Sequence, residues 1–255
     1  MRRAGIVAAG VIGALAIAGV SAWLALFRDT AEPVTVGEAV TSFRTDSETA
    51  PTAASPIPEG VYVYSTHGYE KTDALTGVTH TYPARSTITV AAADCGVSLT
   101  WRVLKGRSTE WRFCTNDEGS ELETQDERHT FFGRTETTTY VCDNTPIWIP
   151  AKRVGARWPV LCSTGDADET GTAAVVGRLV LQVGTTRTRV MRVRKFTRFN
   201  GAIRGTARYD FWLGETSGLP VRIRMVSTTT NDSPVGAVHY VEEVALRLLS
   251  LTPRR

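Results

Sequence analysis

At 255 residues, with 42% hydrophobic and 22% charged residues and no dominant residue type, the chain is neither fibrous nor disordered as a whole. The formal net charge is +3, and no nucleic-acid partner is expected. With an apolar N-terminus and a polar stretch set aside, about 200 residues remain, enough for one domain with a sizeable core.

Gly5 to Phe27 is an uninterrupted apolar run of 23 residues, preceded by Arg2 and Arg3 and closed by Arg28. That length spans a bilayer as a helix, and the two arginines hold residues 1–4 in the cytoplasm. The expectation is a single-pass signal-anchor over 5–27 in the cell membrane, with the rest extracytoplasmic. The alternative is secretion after cleavage near Val20-Ser21-Ala22. Residues 28–58 are rich in Thr, Ser, Ala and acidic residues and end in Pro51, Pro56 and Pro58, so a disordered stalk is expected there.

From residue 59 to 255 the pattern is one of short β-rich runs divided by turn residues. Val61–Ser65, Ser86–Ala91, Val97–Leu104, Glu110–Cys114 and Thr135–Cys142 come first. Five longer runs follow between Val175 and Leu249, separated by Gly184-Thr185, Asn200-Gly201, Gly214 with Gly218, and Asn231-Asp232 with Gly236. Asn-Gly tolerates the positive φ of a hairpin turn, so an antiparallel meander is predicted. In the last run, Val238–Leu249, the even-numbered residues share one strand face, which Glu242 interrupts; a helix is the competing reading.

Cys95, Cys114, Cys142 and Cys162 are even in number and have no zinc-type spacing, which in an exported domain implies two disulfides. Three connectivities are open. Sequential pairing, Cys95 with Cys114 and Cys142 with Cys162, fits strand-turn-strand separations. Strict alternation nevertheless puts Cys95 and Cys114 on opposite faces, which a bulge near Gly96 or another connectivity would resolve.

No catalytic or metal set emerges. His67, His80, His129 and His239 lie on separate segments without ligand spacing, and a surface or strand-face role is expected for each. No serine sits in a nucleophile motif, and no cofactor is implied. Asp166 to Gly171 has partial calcium-loop spacing but Gly177 stands at the twelfth position, so a solvated acidic turn is expected. Glu242 and Glu243 alternate faces and cannot pair as acid and base without a partner from elsewhere. Trp101 and Trp111 flank Gly106 at equal distance, which places them opposite one another in a hairpin. Charge is uneven: residues 176–255 hold 14 basic and 5 acidic side chains, whereas 59–175 hold 11 and 16. Pairing of oppositely charged strands is the plain reading of that layout. The sharper one is an anionic partner for the Arg-rich strands.

Phe211-Trp212-Leu213-Gly214-Glu215-Thr216-Ser217-Gly218-Leu219-Pro220-Val221-Arg222 is a strand ending in Trp-Leu, a Gly-containing turn, then Gly-Leu-Pro and a new strand. It resembles the corresponding hairpin of the lipoprotein-carrier superfamily. That resemblance implies a curved antiparallel half-barrel whose concave face holds acyl chains or a partner segment. The whole chain is similar to uncharacterised membrane-anchored envelope proteins of high-GC Gram-positive bacteria. The expectation is therefore a mainly β domain, a curved antiparallel meander or half-barrel of about ten strands with one N-terminal transmembrane helix. Its function is expected to be non-enzymatic binding of a lipid-like or anionic envelope component, with Arg192, Arg194 and Lys195 at the head group. A protein-interaction or regulatory module of the envelope, docking another envelope protein, is the alternative, and an envelope hydrolase the second.

Overall fold

The computed structural model describes residues 31–47, 56–74, 77–233 and 236–255. The expected anchor and cytoplasmic N-terminus lie outside the described residues. Among the described residues no helix is long and apolar enough to cross a membrane.

Among the described residues thirteen strands follow one helix: α1 (Val36–Ser47), β1 (Gly60–Thr72), β2 (Val78–Thr81), β3 (Arg85–Ala93), β4 (Gly96–Leu104), β5 (Arg107–Asn116), β6 (Gly119–Phe131), β7 (Arg134–Trp148), β8 (Arg157–Ser163), β9 (Ala167–Val183), β10 (Thr186–Gly201), β11 (Ile203–Gly214), β12 (Pro220–Ser233) and β13 (Gly236–Leu248). From β3 to β13 each strand pairs antiparallel with the next, and β13 returns to pair with β1, which pairs with β3. The expected half-barrel is thus a closed barrel of twelve staves. Closure leaves no long free edge to be blunted, the usual reason that an all-antiparallel meander closes. The short β2 doubles back on the last residues of β1, Tyr69–Thr72, beyond the point where β3 leaves.

Period-two burial explains the wall. β8 alternates perfectly, with Trp158, Val160 and Cys162 inward and Arg157, Pro159, Leu161 and Ser163 outward. The inward residues, among them Tyr62, Tyr64, Ile88, Trp101, Val193 and Leu246, fuse into one core. The run 238–249 is a strand, and its apparent flaw, Glu242, faces that same interior.

The closing seam depends on Gly68. It has φ +149° opposite Val244, and a Cβ there would meet the Glu243 carbonyl oxygen at 2.0 Å. Gly68→Ala is expected to cost about 1–3 kcal/mol for the backbone conformation alone, and more as the seam is pushed apart. A denaturant midpoint equal to wild type would contradict this account of the closure.

Part of the expected stalk is folded. Thr35 and Glu38 form a capping box, with Glu38 N–H donating to Thr35 Oγ1 at 3.2 Å and Thr35 N–H to Glu38 Oε2 at 2.8 Å. The helix they start lays Ala39 and Phe43 on Val61 of β1. Farther on, Ile57 is buried in the barrel core. The segment thus has apolar side chains to bury, which a solvated stalk lacks.

Both disulfides have the sequential connectivity. Cys95 lies in the β3–β4 turn rather than in the ladder, so alternation does not bind it, and its Cα is 4.7 Å from that of Cys114. Cys142 and Cys162 are direct partners across β7 and β8. The expected Trp101–Trp111 pair is not formed. A bulge between Arg102 and Leu104 shifts the register, so Trp111 faces Leu99 and Trp101 faces Thr109.

Candidate anion-binding face

Antiparallel alternation gives the barrel two ends. One end gathers the end of β1, β2, and the β4–β5, β6–β7 and β12–β13 turns; Ala31 to Val34 are attached there, where Lys105 N–H donates to the Glu32 carbonyl at 2.8 Å. The other end holds the start of β1, the β3–β4 and β11–β12 turns, and Ile57.

Inside the first end is an ionic cluster. Arg107 of β5 is buried and donates through Nη2 to Glu242 Oε2 at 2.8 Å and through Nε to Glu242 Oε1 at 3.2 Å. Glu70 of β1, the ladder partner of Glu242, lies between two imidazoles, with His80 Nδ1 at 2.9 Å and His129 Nδ1 at 3.1 Å. Tyr240 donates to Glu70 and Glu242, and Tyr82 to Glu242. Burial pushes the Glu70 carboxyl up, but hydrogen bonds to His129 and His80 and the charge of Arg107 outweigh it and hold it at about 2. Burial and Arg107 push the His129 imidazole down; its bonds to Glu127 and Glu70 win, and it is raised from 6.5.

Two of the four histidines therefore face the interior and share one carboxylate. Glu242 has the partners from elsewhere that an isolated Glu242–Glu243 pair lacks. Among the described residues, the one group of three or more ligand-type side chains with donor atoms mutually within 4.8 Å is Cys95, Cys114 and Glu123, whose cysteines form a disulfide. The Glu70 cluster is joined by ion pairs and hydrogen bonds. A cleft of about 270 Å³ reaches Glu70 and His80 from outside, beside Glu32, Lys105, Arg128 and Thr130.

Lys195 also faces inward, where its Nζ donates to Glu169 Oε1 at 2.7 Å and lies 4.6 Å from the Tyr209 ring. Glu169 comes from the segment expected to be a solvated acidic turn; it belongs to β9 and is fully buried. A cavity in the barrel's apolar half measures about 40 Å³ and is lined by Leu99, Trp111, Phe113, Phe211 and Leu213, among others. Small-molecule sites occupy roughly 300–1,000 Å³, so this cavity is well below that size. This cavity as it stands is smaller than the concave acyl-chain site implied by the lipoprotein-carrier resemblance.

Arg192 and Arg194 point the other way. Period two separates them from Lys195, and both meet Asp210 on the outer wall, Arg192 Nη2 at 2.9 Å and Arg194 Nε at 3.0 Å. The three predicted site residues are thus split by the wall, two outside and one within. Outside, strand register builds what the sequence does not display. Arg192 of β10 neighbours Trp212 of β11, which neighbours Arg222 of β12, then Arg247 of β13, Ser65 of β1 and Arg85 of β3. Trp212 lies within 4.8 Å and 4.9 Å of the Arg192 and Arg222 guanidinium carbons, ring centre to carbon. Arg222, Arg247 and Arg85 have no acidic partner among the described residues. The adjacent rank reads Arg194, Asp210, Arg224, and Arg208 approaches Asp210 at 3.5 Å.

No protein-family model matches the chain, and no curated protein matches it. Among solved structures, a hypothetical lipoprotein YmcC from Escherichia coli (K12) superposes with a TM-score of 0.31 at 11% identity, over 83% of this chain and 96% of that one. A likeness that loose carries no argument about function.

Proposed function

We propose that this protein is a non-enzymatic binding module of the cell envelope that holds an anionic component on its outer wall, at Arg192, Arg222, Arg247 and their neighbours. The observation that carries the reading is the arginine rank itself, with Trp212 held between two of its guanidinium groups. Planar guanidinium donors bind carboxylate and phosphate oxyanions bidentately, and stacking on an indole orients them at little further entropic cost. The small size of the apolar cavity, about 40 Å³, supports a site on the outer wall.

In this reading the apolar run 5–27 anchors the chain. Only Arg28, Asp29 and Thr30 separate Phe27 from Ala31, a stretch of roughly 14 Å at most when extended. The barrel then stands close to the bilayer with its ionic-cluster end nearest. Trp212, Arg222 and Arg247 lie toward the other end, within two residues of the Gly214, Pro220 and Leu248 strand limits, whereas Arg85, the first residue of β3, lies beside Leu104, which bridges to Pro33.

The test uses the full-length chain in neutral detergent on a phosphorylated cation-exchange support at low salt. The triple variant Arg192→Ala, Arg222→Ala, Arg247→Ala is expected to elute at markedly lower salt than wild type, with unchanged far-UV circular dichroism. Elution of both proteins at the same salt would sink the reading.

A further inference from the structure

The positive charge on the outer wall is a stripe. One rank carries four arginines, Arg192, Arg222, Arg247 and Arg85, across six adjacent strands, and it has no carboxylate of its own. The rank beside it is largely neutralised: Asp210 sits between Arg194 and Arg224 and takes bonds from Arg192 and Arg194. The next rank reads Phe196, Arg208, Val226, Glu243, with Phe196 and Val226 exposed and Glu243 closing its acidic side.

Building on the proposed anionic binding, we infer that the partner is a flexible linear polyanion, a chain of repeating oxyanions that crosses the strands from Arg192 to Arg85. Two features choose it over an anionic membrane surface. The first is length: five strand-to-strand steps of about 4.8 Å make a track of roughly 24 Å, far longer than one small anion. The second is curvature. Five of twelve steps, on strands tilted as barrels require, carry the track roughly a quarter of the way round a convex wall. A flat surface touching the middle of such a track stands off from its ends by several ångströms, whereas a flexible chain follows the bend. The guanidinium groups of Arg192 and Arg222 cannot swing out to close that gap without leaving Trp212.

The test measures binding of the full-length chain in neutral detergent to long-chain inorganic polyphosphate and to triphosphate, compared per phosphate, and to poly-L-glutamate and triglutamate in parallel. In at least one series the long chain is expected to bind tenfold or more tighter than the short one. Arg85→Ala and Arg192→Ala, at the two ends of the track, should each weaken long-chain binding about threefold to tenfold; Arg85→Ala should leave short-anion binding nearly unchanged, and Arg192→Ala, beside Trp212, should weaken it as well. Each should also lower the salt dependence of binding by about one released counterion. Equal per-group affinity for long and short anions, or loss at Arg192→Ala with none at Arg85→Ala, would overturn the linear partner while leaving anion binding standing. Absence of binding to all four probes would remove both.

Discussion

Replacing Arg107 with Met is expected to destabilise the domain by about 3–5 kcal/mol, because it strands buried carboxylates without their cation. Arg107 and Glu242 are each almost fully buried, and two hydrogen bonds join them directly. Arg107 also lies over the Trp101 ring, 5.3 Å from its centre, and donates to Thr109 Oγ1 at 2.7 Å. Removing the guanidinium leaves Glu242 with only the Tyr82 and Tyr240 hydroxyls, and leaves Glu70 with its two imidazoles and Tyr240. The double variant Arg107→Met with Glu242→Leu should recover a large part of the loss, since apolar replacement of a whole buried pair is often neutral. Chemical denaturation of wild type, Arg107→Met, Glu242→Leu and the double variant gives the coupling energy. A single-variant loss below 1 kcal/mol would show that the cluster is hydrated rather than buried as the barrel closes it.

The same cluster sets the response to pH. Glu70 is held at about 2 in the folded protein against an ordinary value of 4.5, so its contribution is present above the unfolded value and is lost as pH falls toward 2. For a carboxylate this buried, that displacement corresponds to something on the order of 3 kcal/mol. His129 acts with the opposite sign. Its folded value is raised above 6.5, so its contribution is complete below that pH and fades as pH rises through the folded value. The groups facing these two are Arg107, His80, Glu127, Tyr240 and Glu242. Stability should therefore be greatest between about pH 4.5 and 6.5 and decline on either side. Glu70→Gln should flatten the acid limb, and His129→Gln the limb above neutrality. Wild-type and Glu70→Gln curves that run parallel from pH 5 to pH 2 would refute the assignment.

Much of the wall was legible because period two survives in the sequence. The five runs after Val175 became β9 to β13, and Asn200-Gly201 and the Gly214–Gly218 turn join strands where turn chemistry places them. Closure was not legible: whether β13 reaches β1 depends on register and bulges summed around the whole sheet, and local pattern does not carry that sum. A one-residue bulge at Arg102/Leu104 undid the symmetric hairpin that paired Trp101 with Trp111. Helix α1 could have been found, since Thr35 and Glu38 stand at capping-box spacing before Val36, Val40 and Phe43. The surrounding Thr, Ser and Pro composition masked it.

The site shows the same division. That Lys195 and Arg194 face opposite sides of β10 follows from adjacency alone, so grouping them with Arg192 set aside an available rule. Glu242 on an otherwise apolar strand face was a visible signal of a buried partner. Its identity as Arg107, 135 residues away in sequence, was not. The outer arginine rank joins residues from Arg85 to Arg247 that become neighbours only through strand order, and no window along the chain brings them together.

The central claim is that ligand binding belongs to the outer wall and not to the barrel interior. Arginine-selective labelling of the full-length chain with phenylglyoxal, read by peptide mass spectrometry with and without long-chain polyphosphate, tests it directly. The account predicts protection of Arg85, Arg192, Arg222 and Arg247 on binding, with Arg134, exposed at the β6–β7 turn, labelled equally in both states. Binding that protects none of the four would contradict it.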